Sequence, residues 1–187
     1  MGGVLPQRPF TVDEFHRLGD VGILDSHERV ELLGGQVIEM AAIGSRHAAC
    51  VRRLLRLLGE QVESELVVDV QNPVHIDDVT ELVPDLMLLQ PRGDFYAKAH
   101  PRPDDVLLVI EVADTTLHYD RNLKMSRYGA AGIREAWLVD LPNRLIEVFH
   151  DPSPESGYTH STGFPEGGAV ESLSVPGLSV PVDDVLG

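Results

Sequence analysis

Apolar and polar positions alternate along this chain in two periods, and the changes from one to the other mark out its elements. Thr11 followed three residues later by Glu14 forms a capping-box pattern, with Phe15 and Leu18 at helical spacing, which predicts a short helix from about Thr11 to Gly19. Glu28 to Met40 predicts a hairpin, with Arg29-Val30-Glu31-Leu32 and Gln36-Val37-Ile38-Glu39 as strands about the turn residues Gly34-Gly35. From Ser45 to Glu63 the period changes. Val51, Leu54, Leu55, Leu58 and Val62 recur at intervals of three and four, the pattern of an amphipathic helix.

Val67 to Val70 and Val74 to Ile76 read as short strands parted by Asn72-Pro73, followed by an acidic loop, Asp77 to Glu81, and a strand, Leu86 to Leu89. Gln90 to Asp105 is rich in proline, glycine and charge and predicts an exposed loop. The run Val106 to Val112 is almost continuously apolar, as a central strand covered on both faces would be. A helix from Leu117 to Ala130 and a strand pair, Ala136 to Asp140 and Leu145 to Phe149 about Pro142-Asn143, complete a strand, helix, strand crossover. Asp151 to Gly187 shows only weak strands near Gly157 to Thr159 and Ala169 to Leu173, and predicts an irregular closing ribbon. The expected fold class is α/β, a mixed central sheet flanked by helices, with an N-terminal hairpin and extra C-terminal strands. No linker or repeat divides residues 1–187, so one domain is expected.

No stretch of about 18 apolar residues could span a bilayer, and Met1 to Phe10 has no apolar segment ahead of a small-residue cleavage site, so a cytoplasmic protein without a membrane partner is expected. Cys50, the single cysteine, excludes an internal disulfide and sits in the apolar helical pattern as a small hydrophobe. A formal net charge of −15 opposes non-specific binding to nucleic acid. Against this, Arg46, Arg52, Arg53 and Arg56 cluster in one segment and Arg121, Lys124, Arg127 and Arg134 in another, as local basic strips or merely solvated helix faces.

Three residues carry the candidate chemistry. Glu111 interrupts an aliphatic strand, where an unpaired carboxylate would cost several kcal/mol, so a metal, a lysine or a structural ion pair must answer it. Asp85 is held at a strand entry by Pro84, as a rigid ligand or an ordinary turn residue. Lys124 lies on the helix after the Glu111 strand, one turn from both Asp120 and Tyr128, where a surface pair with Asp120 is the simpler reading. Together they suit metal-assisted hydrolysis, since two carboxylates are hard oxygen ligands for magnesium and an ammonium stabilises charge on phosphate. The histidines show no His-x-x-x-His helix for a zinc hydrolase, and neither a phosphate-cradling glycine loop nor a Gly-x-Ser-x-Gly elbow is present.

Glu31-Leu32-Leu33-Gly34-Gly35-Gln36, His47, Pro84-Asp85, Val109-Ile110-Glu111-Val112, Asp120-Arg121-Asn122-Leu123-Lys124, Tyr128 to Ile133 and Glu135 to Asp140 occur in an order and spacing that resembles the Uma-two-type restriction-endonuclease family over about residues 8–185. The resemblance implies the restriction-endonuclease-like core of the PD-(D/E)XK nuclease superfamily. It further implies a magnesium-dependent endodeoxyribonuclease, with manganese able to substitute and DNA as partner. Asp85 and Glu111 then match the metal ligands, Glu31 an additional acidic residue, and Lys124 a lysine displaced to the helix, because Ala113 stands two residues beyond the acid. His47, Arg121 and Tyr128 are the candidate substrate contacts. Asp114 replaces the serine of the family's Glu-Val-x-Ser string, adding acidity near the phosphate. A double-strand break takes two sites, which a homodimer would supply. The rival readings are a catalytically silent protein-interaction module and a nuclease acting on RNA or a structured junction.

Overall fold

The computed structural model describes residues 8–25 and 27–187; the absence of an export signal expected for Met1 to Phe10 rests mainly on residues outside that range. Helix α1 (Val12–Asp20) starts at Thr11, whose hydroxyl accepts the Glu14 N–H at 3.2 Å while Glu14 Oε2 accepts the Thr11 N–H at 3.1 Å. These reciprocal bonds satisfy donors that a helix start leaves open. Strands β1 (Val30–Leu33) and β2 (Gln36–Glu39) form the hairpin, and Gly34 and Gly35 turn it with φ of 59° and 77°, in the left-handed region that glycine adopts most readily. Helix α2 (Ser45–Gln61) follows.

Strands β3 (Val67–Val70), β4 (Val74–Asp77), β5 (Thr80–Leu82), β6 (Leu86–Leu89) and β7 (Val106–Ala113) come next. Strand β5 departs from the acidic loop expected there. Its three residues are buried between β1 and β4, and the charge of Glu81 is answered by His16 Nε2 at 2.7 Å. Helix α3 (Leu117–Tyr119), a π-helical turn (Asp120–Lys124) and α4 (Met125–Ala130) run on as one rod over the segment expected as a single helix. Strands β8 (Glu135–Asp140), β9 (Leu145–Ser153), β10 (Gly157–Pro165), β11 (Ala169–Glu171) and β12 (Ser179–Pro181) precede helix α5 (Val182–Leu186). Instead of a weak ribbon, β10 pairs with β9 from Gly157 to Pro165. Most of its side chains face solvent, so it carries no hydrophobic pattern to read.

Six strands form the main sheet in the order β10-β9-β8-β7-β6-β3, and a second sheet runs β2-β1-β5-β4. Only β7 and β8 are parallel in the main sheet, joined by the α3–α4 rod; a parallel pair needs such a crossover. Alternation along β7 turns Leu108, Ile110 and Val112 toward α2 and the C-terminal elements, and Val109 and Ala113 toward Met125 and Tyr128 of the rod. Glu111 shares the second face. The apolar run thus lies between two cores, which is why it shows no polar face of its own. Among the described residues no helix is long and apolar enough to cross a membrane.

The rod meets the β9–β10 hairpin backbone to backbone. A Cβ on Gly129 would stand 2.6 Å from the Tyr158 nitrogen and 2.8 Å from the Gly157 carbonyl oxygen. Alanine is favoured over glycine in a helix by about 1 kcal/mol, but overpacking against backbone costs about 1–3 kcal/mol. The contact should win. Gly129→Ala is expected to lower the urea midpoint, and a raised midpoint would show that the rod lifts freely off the hairpin.

Candidate active site

The second sheet, the start of β6, the end of β7 and the π turn enclose a cavity of about 550 Å3, lined by Glu31, Asp85, Glu111, Asp120 and Lys124 among others. Five charged side chains are buried there together. Asp85 lies just before β6, where Pro84 and the apolar strand fix its backbone. Its Oδ2 accepts the Val112 N–H at 2.9 Å and faces His47 Nε2 at 3.0 Å, while Oδ1 accepts from Gln71 Nε2 at 3.1 Å. The acceptor of the Val112 amide is therefore a neighbour of Glu111, one strand away. Glu111 Oε1 is 2.7 Å from Lys124 Nζ and accepts the Tyr128 hydroxyl at 2.6 Å. Lys124 Nζ also faces Glu31 Oε2 at 3.4 Å and donates to the Val83 carbonyl at 3.2 Å. Glu31 is held in turn by the Val83 N–H at 3.0 Å and the Tyr119 hydroxyl at 2.7 Å.

The π turn supplies both Asp120 and Lys124. The Met125 N–H reaches back five residues to the Asp120 carbonyl, a widened turn of a kind common at functional sites. Both side chains are buried, and Asp120 Oδ2 accepts the Thr116 hydroxyl at 2.5 Å. The pair therefore faces into the protein and not across a helix surface.

Glu31 and Glu111 face the Lys124 ammonium directly, and the carboxylates of Asp85 and Asp120 are buried in the same cavity. Burial pushes the Glu111 carboxyl well above its ordinary range; Lys124 pulls it back, while the charges of Asp120 and Asp85 lift it further. Burial likewise raises Asp120 against the pull of Lys124. Lys124 moves up too, because Glu111, Glu31 and Asp120 outweigh its desolvation. The cluster is short of positive charge.

Burial alone does not mark such a site. Glu135 is 0% exposed, yet Trp137 Nε1, the Ser172 hydroxyl and the Ser174 N–H donate to it at 2.7, 2.8 and 2.7 Å. Its charge is satisfied by neutral donors away from the cavity, which makes it a structural carboxylate.

Burial opposes ionisation of Asp85, but the hydrogen bond and charge of His47, with the bonds from Val112 and Gln71, hold its pKa below the ordinary value. His47 is raised by Asp85. The lowered carboxylate contributes stability above the unfolded pKa of about 4, lost as pH falls through its folded value, and the raised imidazole contributes below about 6.5, lost as pH rises through its own. The pair is thus strongest between about pH 4 and 6.5. In metal-free protein, His47→Ala should cost more stability at pH 5.5 than at pH 8.5, by an amount of order 1 kcal/mol in urea unfolding. An equal cost at both values would mean that the ring stays neutral.

The structure thus brings together Asp85, Glu111, Lys124 and Glu31, and adds Asp120. Of the three expected substrate contacts, His47 lines the cavity, whereas Arg121 and Tyr128 do not. His47 spends Nε2 on Asp85, and its Nδ1 is buried without a partner among the described residues. Tyr128 is 0% exposed behind Glu111, with its hydroxyl bonded to that carboxylate. Arg121 is outside the cavity lining, paired with Glu147 at 2.7 Å and Asp140 at 3.5 Å. Both expected basic strips are partly neutralised: in the first, Arg46 faces Asp114 at 3.4 Å and Arg56 faces Glu60 at 4.0 Å, and in the second, Arg121 and Lys124 are taken up by Glu147 and Glu111.

The family described as "Putative restriction endonuclease", Uma2, matches residues 12–183. The chain belongs to the Uma2 family. No curated protein matches it. Among solved structures, it is similar to a chain from Anabaena variabilis described as "a putative nuclease belonging to DUF820", at 17% identity and a TM-score of 0.72. That likeness covers 95% of this chain and 98% of the other, and it shows the shared fold. The description of the Uma2 family supports a nuclease. Within the Uma2 chain the carboxylate missed from the sequence is Asp120. An α-helical repeat places it beside Lys124 on an outer face; its only sequence signal was the Asp120-Arg121-Asn122-Leu123-Lys124 string that formed part of the family resemblance.

Proposed function

We propose that the chain is a metal-dependent endonuclease that hydrolyses phosphodiester bonds in DNA at the Asp85, Glu111 and Lys124 cluster. The supporting observation is the surplus of buried carboxylate over cation in one cavity. Oxygen donors crowded into one site, two of them, Glu111 and Asp120, raised in pKa by burial and by neighbouring carboxylates, fit a hard divalent ion such as magnesium or manganese. Asp85 and Glu111 would hold it, with Glu31 as a further carboxylate of the same set. When bound, such an ion offsets charge on phosphoryl oxygens and activates water.

The chain's own groups do the rest. Lys124 keeps its proton, which makes it a poor general base at neutral pH; its part is to hold Glu31 and Glu111 in place and to oppose charge developing on phosphate. His47, Gln71 and the Val112 amide fix Asp85. Asp120, raised by burial and lining the same cavity, takes the proton of the attacking water. Arg29, the arginine of the cavity lining, is the phosphate contact in place of Arg121.

Incubation with supercoiled plasmid and magnesium or manganese should give nicked and linear products that EDTA suppresses. Matched single-stranded DNA and RNA substrates test the choice of DNA. No cleavage with any divalent ion, together with no ion binding by calorimetry, would overturn the reading in favour of a silent interaction module.

A further inference from the structure

A second group of metal-ligating side chains lies on the β9–β10 hairpin. His150 pairs with Glu135 at the start of β8, whereas the carboxylate site lies at the far end of β7, the strand parallel to β8. The two groups are therefore separate, since Glu111 pairs with Leu138, three residues along β8 from the partner of His150, and β8 stands between β7 and β9. We infer that His150, Asp151 and His160 form a separate site for a transition-metal ion of the Zn2+ type.

Strand pairing creates the group. His150 and His160 are ten positions apart and show no ligand spacing in the sequence, but they are register partners across the hairpin. Their rings stack at 5.4 Å between centroids with 9° between planes. Nδ1 of His150 lies 3.1 Å and Nδ1 of His160 3.0 Å from the same oxygen, Oδ2 of Asp151. All three ligand atoms fall within 4.8 Å of one another. With bonds of about 2.0–2.1 Å, the donors of a tetrahedral zinc ion stand about 3.3 Å apart, so the separations from Asp151 are already near those of a bound ion. The Thr159 hydroxyl donates to the Asp151 carbonyl at 3.0 Å and so ties the two strands at Asp151; its oxygen lies 3.1 Å from His160 Nδ1, a contact that an ion on that nitrogen would replace.

Donor type sets the metal. Two imidazole nitrogens and one carboxylate suit zinc, nickel or copper, whereas magnesium prefers oxygen alone. Asp151 and the His160 ring are each 65% exposed, which leaves a side open for entry and for water as a further ligand. The ion would tie β10, one of the two edge strands of the main sheet, to β9, and an edge so clipped is less free to pair with another chain. Acid weakens the binding, since the imidazoles must be unprotonated.

Zinc titration by calorimetry tests the assignment with three full-length proteins: the wild type, His150→Ala/His160→Ala, and Asp85→Asn. The hairpin variant should lose one equivalent of zinc that Asp85→Asn retains, whether or not any protein cleaves DNA. Because the histidines lie on an outer hairpin, His160→Gln provides a milder substitution if circular dichroism shows the double variant misfolded. Zinc should also shift or broaden the ring signals of His150 and His160 in NMR spectra and raise the melting temperature only where both rings are present. Unchanged zinc stoichiometry in the folded hairpin variant, or ring signals indifferent to zinc, would overturn the site while leaving the nuclease reading intact.

Discussion

Lys124→Ala is expected to abolish plasmid cleavage and to remove about 3–5 kcal/mol of stability, the usual cost of taking one partner from a buried ion pair. The size follows from what the ammonium holds. Glu111 at 2.7 Å and Glu31 at 3.4 Å both face Nζ, and Asp120 is buried in the same cavity. Without the cation these carboxylates must take up protons or stay charged without compensation. Urea unfolding without metal reads the loss directly. Lys124→Met, which fills most of the space with no charge, separates the electrostatic part from the cavity left by alanine. Divalent ions should then stabilise the variants more than the wild type, because ligands that lack their ammonium favour an added cation. A Lys124→Ala protein of unchanged stability would mean that the carboxylates are neutral without it, and one that still cuts plasmid would remove lysine from the reaction.

The parts of this molecule that were legible in its sequence are those where burial writes a pattern. The run Val106 to Val112 announced a strand between two cores because both of its faces are covered. Glu111 stood out for the same reason, as the polar residue within that run. Pro84 marked Asp85 as the entry of a strand, and the structure adds that the carboxylate bonds the backbone of the neighbouring strand at Val112. What stayed hidden depends on geometry that no single-element period encodes. A π turn changes which residues of the rod share a face, so Asp120 and Lys124 resembled an outer salt bridge although both are buried. Tyr128 and His47 were expected as substrate contacts from the resemblance, and their hydrogen bonds to Glu111 and Asp85 were not legible, since what a side chain touches depends on what stands in front of it. Strand β10 faces solvent, and His150 meets His160 only through pairing across its hairpin.

Asp85→Asn should reduce metal-dependent cleavage on the order of a thousandfold while leaving the protein folded, since losing a charged ligand forfeits several kcal/mol of transition-state stabilisation at about 1.4 kcal/mol per tenfold. Asparagine keeps the volume and one acceptor. Its Oδ1 can receive the Val112 N–H and the His47 ring, and Gln71 can turn its amide to offer oxygen to the new NH2 group. The structural cost should therefore stay near 1 kcal/mol. Asp85→Ala differs in kind, because it leaves the buried Val112 N–H without an acceptor and should cost a further 1–3 kcal/mol or so. Comparison of the two separates the chemical part of Asp85 from its structural part. Calorimetry should show weakened magnesium or manganese binding in both variants, and urea unfolding should show a marked loss only in the alanine protein. If the asparagine variant cuts plasmid within tenfold of the wild type, the charge on Asp85 is dispensable, and the cavity's carboxylates serve the fold more than the reaction.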